Sequence, residues 1–205
     1  MEDRNLSRMM LVLLGGCLAL GSCQNPRSDG PHLAPMDLVP GSGDSAASMA
    51  SYKQGVEAAD AGDLDEAHKQ LKVSVAESDR NALAWMELGI IEYERDNLFE
   101  AAYAFHRASI LEPTRYEPHY NMGIILESVG RYQKAIAAYK RALKLAPDQI
   151  EVMENLARCY IRTDTDLDEA QTLIGKARPL ERRLEWQEWL ETQAQRLEQR
   201  KERER

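Results

Sequence analysis

Small residues recur in this chain at intervals of 34: Gly55, Gly89, Gly123 and Ala157. A second small set keeps step at Ala67, Ala101, Ala135 and, after one inserted residue, Ala170. Large side chains follow four places later at Leu71, Phe105, Tyr139 and Ile174, and small ones three further on at Ser74, Ala108, Ala142 and Ala177. Pro113 and Pro147 are also 34 apart. An interval this regular constrains everything after residue 48 to a stack of like units, each burying its apolar face against its neighbours.

Within one unit the pattern is a helical hairpin. Small residues let two helix backbones approach, and bulky ones fill the space left. Turn signals divide the helices at Ala61-Gly62-Asp63, Asp96-Asn97 and Gly130-Arg131. Asp63 with Glu66, Asn97 with Glu100, and Asp166 with Glu169 have the spacing of an N-cap and its return partner. Pro113 and Pro147 cannot continue a helix and so close their copies.

Trp85-x-x-Leu88-Gly89, Ala101-x-x-x-Phe105, Ala108 and Pro113 resemble the tetratricopeptide repeat, as do Met122-Gly123, Ala135, Tyr139, Ala142 and Pro147. Glu92 departs from the pattern, taking a place usually held by an aromatic. The resemblance implies an all-α fold: a right-handed solenoid of about four hairpins, with copies near 48–81, 82–115, 116–149 and 150–183. A capping helix over 180–205 is expected to follow the repeat domain of 48–179. Leu180, Leu184, Trp186, Trp189, Leu190, Ala194 and Leu197 give that segment an apolar stripe, and residues 196–205 a charged, fraying end.

The front of the chain reads differently. Arg4 and Arg8 precede a short apolar run, Met9 to Leu20, too short to span a membrane and shaped like a signal peptide over 1–22. Leu20-Gly21-Ser22-Cys23 resembles the lipobox of bacterial lipoproteins, which implies lipidation at Cys23; Leu14-Gly15-Gly16-Cys17 has the same spacing but less apolar chain before it. Residues 23–47 are rich in Pro, Gly, Ser and Asp and read as a tether, about 25–30 Å in mean reach. The expectation is a lipid-anchored protein of the bacterial cell envelope. Gln24 after the cysteine implies the periplasmic face of the outer membrane where there are two membranes.

In the family's pattern the second, fifth, ninth and twelfth places of each copy line a concave groove. Here the groove candidates include Tyr52, Val56, Met86, Ile90, Tyr93, Tyr120, Ile124 and Arg158, apolar toward the amino end and more acidic toward the other, where Glu117, Glu127, Glu151 and Glu154 stand. Asn121 and Asn155 resemble the asparagine ladder of superhelical arrays, whose amides grip a peptide backbone. A peptide or helix with apolar or aromatic anchors and some basic residues is the expected partner.

A net charge of -8 argues against nucleic acid. His32, His68, His106 and His119 have no metal-ligand spacing, and no phosphate loop or nucleophile elbow is present, so neither metal, cofactor nor catalysis is expected. Cys159 reads as a buried small hydrophobe. A non-catalytic adaptor for an envelope protein is the leading reading. The alternative is a structural lipoprotein that self-associates through a solenoid end or its C-terminal tryptophans.

Overall fold

The computed structural model describes residues 45–203. The leader, Cys23 and nearly all of the tether lie outside those residues. Within them the fold is all-α: α1 (Ala46–Asp60), α2 (Leu64–Glu77), α3 (Ala82–Glu94), α4 (Leu98–Leu111), α5 (Glu117–Ser128), α6 (Tyr132–Leu145), α7 (Ile150–Thr163), α8 (Leu167–Ala177) and α9 (Leu184–Arg203). They pair as hairpins α1–α2, α3–α4, α5–α6 and α7–α8, and each second helix packs on the first helix of the next pair.

What makes the hairpins close is an interlock between glycine and a large side chain. A Cβ added at Gly89 would lie 2.5 Å from Phe105 Cε1, and one at Gly55 2.7 Å from Leu71 Cγ; Gly123 stands against the Tyr139 ring in the same way. Ala67, Ala101 and Ala135 complete the close approach with no exposure at all. The turns repeat as strictly. Gly62, Asp96, Gly130 and Asp164, each 34 after the last, are left-handed with φ of 80°, 63°, 74° and 53°. Glycine and aspartate are among the residues that enter this region at least cost.

Capping is less regular than the spacing predicts. The Asp63 carboxylate accepts from the Glu66 amide at 3.1 Å, but Asn97 and Asp166 make no such bond. Asn97 instead donates its side-chain amide to Glu92 at 2.8 Å, and Asp166 has φ 44°. Glu92 is buried, so its carboxylate needs partners; His68 supplies the other at 2.9 Å. That pairing accounts for a carboxylate where the repeat pattern carries an aromatic.

The first hairpin has a polar junction built around Ser74, where later copies carry Ala108, Ala142 and Ala177. Ser48, Ser74 and Asn81 are fully buried. Ser48 Oγ donates to the Ser74 carbonyl at 2.9 Å, Ser74 Oγ to the Ser48 carbonyl at 2.8 Å, and Asn81 Nδ2 to Ser48 Oγ at 2.9 Å. The Asn81 side-chain oxygen also caps α3, accepting from the Ala84 amide.

At the far end α9 lies on α8 and joins the core through Trp189, Leu190 and Leu197. Arg200 pairs with Asp164 and Lys201 with Asp168, which brings the end of α9 to the α7–α8 turn. The opposite side of α9 exposes Glu188, Glu191, Thr192, Gln195 and Glu198, the polar outer face an array needs at its end. Leu180 and Leu184 are exposed instead of joining the stripe, because the chain between α8 and α9 turns its Glu181 inward.

Candidate partner-binding groove

The groove positions divide into two sets. Tyr52 and Val56 on α1, and Ile90 and Tyr93 on α3, keep part of their side chains at the surface. Met86, Tyr120 and Ile124 do not: they are buried at 0%, 4% and 2% exposure. The next hairpin covers them. Met86 shares a core with Ile125 of α5, and Tyr120 and Ile124 share one with Val152 and Leu156 of α7.

Asn121 and Asn155 are likewise buried. Asn155 Nδ2 donates inward to Tyr120 Oη at 3.1 Å. In this structure that amide joins two hairpins. Burial raises the Tyr120 and Tyr139 phenols, so both remain protonated and able to donate.

Arg158 is the most tightly held of the candidates. Its Nε and Nη2 donate to the two Glu127 oxygens at 2.8 and 2.9 Å, and Tyr139 Oη donates to the same carboxylate at 2.9 Å. Both members of the ion pair are 16% exposed at the side chain. The outer face of the guanidinium meets the Trp186 ring, its Cζ 5.7 Å from the ring centroid. Arg183 stacks on that same indole at 5.3 Å.

Arg183 also holds the chain between α8 and α9. Its Nη2 donates to Glu154 at 2.7 Å and to Glu181 at 2.5 Å. The Glu181 carboxylate accepts the backbone amides of Arg182 and Arg183 at 2.7 and 2.6 Å. Burial first, and the neighbouring Glu181 carboxyl second, push Glu154 up to about 9. Glu181 is drawn down to about 2: its own burial opposes this, and the hydrogen bonds from Arg183 and Glu154 outweigh it. The acidic carboxyl end expected from sequence is thus largely engaged by the chain's own arginines.

Cys159 is fully buried, and burial is the first cause raising its thiol, as packing requires and nucleophilic chemistry does not. Among the described residues no group of three or more His, Cys, Asp or Glu is placed to hold a metal. No helix among them is long and apolar enough to cross a membrane.

A register signal for the Glu127–Arg158 pair was present: 31 residues is one repeat less one helical turn, which places the two on facing edges of consecutive first helices. Glu181, Arg183 and Trp186 had no such signal, since they follow the insertion that breaks the 34-residue register.

Comparison with known proteins agrees with this geometry. Tetratricopeptide repeat models match residues 52–114 and 116–149. Residues 52–114 and 116–149 are tetratricopeptide repeats. The repeats resemble human "Tetratricopeptide repeat protein 8", 27% identical over 100 residues, covering 49% of this chain and 18% of that one. The chain spans about a fifth or less of the length of the curated relatives it matches. Among solved structures, that of MamA superposes with a TM-score of 0.60 at 27% identity, over 63% of this chain and 75% of the other. The first repeat domain of Spaghetti (RPAP3), bound to the HSP90 peptide SRMEEVD, gives 0.57 at 16% identity over 60% and 97%, a likeness of fold alone. The repeat fold is that of a protein-interaction scaffold.

Proposed function

We propose that this protein is a lipid-anchored, non-catalytic adaptor of the bacterial cell envelope that holds a segment of another protein on the amino half of its concave face. The observation that carries the reading is the partial exposure of Tyr52, Val56, Ile90 and Tyr93, an apolar strip on the first helices of two adjacent hairpins. The bound peptide of the RPAP3 structure supports the mode of use, while the chemistry of the strip calls for apolar or aromatic anchors. Lipidation at Cys23 and the envelope location follow from the lipobox resemblance. Self-association through the C-terminal tryptophans has less support, because Trp189 is buried and Trp186 is stacked on two arginines of its own chain.

The test uses the full chain in its own cells. Combined Tyr52→Ala, Ile90→Ala and Tyr93→Ala should abolish cross-linking to the envelope partner while leaving the fold intact; unchanged cross-linking would sink the groove assignment. Cys23→Ala should end incorporation of labelled fatty acid. Continued labelling would place the acyl chain elsewhere.

A further inference from the structure

The chain from Glu181 to Trp186 is built as an occupant of the solenoid rather than as a plain connection. Glu181 is 5% exposed although it lies between helices, and its carboxylate is fixed by two backbone amides and Arg183. Arg183 reaches Glu154, itself 1% exposed, through one nitrogen, and the Glu154 carboxyl also lies against that of Glu181. The Arg158 and Arg183 guanidiniums both lie over the Trp186 ring, each within the roughly 6 Å of a cation–π contact. Trp186 also packs against the core, edge-on to Trp189 at 5.4 Å, while Glu181 and Arg183 lie outside that apolar contact. Helix α9 is attached to α8 by Trp189, Leu190 and Leu197 and by the ion pairs at its far end.

A cation on Glu154 and an indole on Arg158, three residues apart in one segment, are what a bound peptide would present to this end of the groove. We infer that the carboxyl end of the concave face is a recognition site for a protein segment carrying a basic residue followed three places later by an aromatic one. Arg183 and Trp186 are its resident stand-ins, displaced when the partner arrives. The inference rests on the adaptor reading and names the chemistry its partner brings to the second half of the groove. Being tethered, the resident segment acts at an effective concentration in the millimolar range, so a partner must bind the open site well below that to displace it. Glu127 fixes the orientation of the planar Arg158 guanidinium, so that its face can receive a ring.

The test uses the full chain and a synthetic peptide of its own residues 180–191. In the Arg183→Ala, Trp186→Ala double variant both stand-in side chains are gone, while Trp189, Leu190 and Leu197 still hold α9. The peptide should shift the Arg158 Nε–H resonance in that variant at millimolar concentration, and at least tenfold more weakly in the unaltered chain. A peptide with alanine at both key places should shift nothing. Arg183→Lys with Trp186→Phe should restore exclusion of the peptide. Equal binding to both chains, or no shift in the double variant, overturns the inference. The groove triple variant is read separately by cross-linking, so loss of one result leaves the other standing.

Discussion

The two halves of the concave face begin from the same repeat and reach different ends. At the ninth place of the second copy stands Ile90, half-buried and unencumbered by ion pairs; at the ninth place of the fourth stands Arg158, bound to Glu127 and roofed by Trp186. The amino half spends its polar groups inside the hairpin junction, at Ser48, Ser74 and Asn81, and leaves apolar surface facing out. The carboxyl half keeps its polar groups on the groove and closes them with its own chain. One half leaves apolar surface uncovered; the other is filled by the chain's own segment.

The sharpest break in that contrast comes from Arg158→Ala. It leaves the Glu127 carboxylate, 16% exposed, without its countercharge though still bonded by Tyr139, and removing one partner of a buried pair costs about 3–5 kcal/mol. Urea unfolding should show that loss, with Ile90→Ala at the matching place costing about 1 kcal/mol for a side chain already half in water. Equal losses would erase the distinction between the halves.

Next in size is the interlock common to both. Gly89→Ala and Gly123→Ala force a methyl into the Phe105 and Tyr139 rings, and overpacking of this kind costs about 1–3 kcal/mol, more than helix propensity returns. Thermal denaturation should find the two alike, since this feature belongs to the repeat and to neither half.

The pH dependence separates the halves again. Glu154 is raised from 4.5 to about 9, so the folded chain holds a proton the unfolded chain has lost, and stability falls as pH rises across that interval. Glu181 is lowered to about 2, so its contribution is present above 4.5 and fades as pH falls toward 2. Glu151 and Arg183 also face Glu154 and set how steep the slope is. Glu154→Gln should flatten the alkaline decline in midpoint temperature and keep the acid one. A slope unaltered by the substitution would remove Glu154 as its source.

The smallest effect is expected at the end of α9. Lys201→Ala breaks an exposed pair with Asp168, worth about 0–1 kcal/mol, and chemical denaturation should barely register it.

The hairpins were legible because glycine, alanine and the facing large residue recur at a fixed spacing, and close packing permits few other residues there. The direction of each groove side chain was not. Asn155 and Tyr120 fall on the groove side of a helical wheel, yet they bond to each other across a boundary that depends on how tightly two hairpins nest. Tyr52 and Tyr93 remain at the surface for the same reason in reverse. Single-helix periodicity names a face and says nothing of how far a neighbour overhangs it. The Glu181 turn was beyond reach because no copy of it exists elsewhere in the chain to compare.

The buried trio at the first hairpin has a mechanical consequence. Ser45 caps α1 with its hydroxyl, and three residues on Ser48 is pinned to α2 and to Asn81 at the head of α3. A pull on the amino end therefore loads three helices at once instead of peeling one. Sliding α1 by a single turn would strand several hydrogen-bonding groups away from water, so the array takes strain at this end as a stiff fixture.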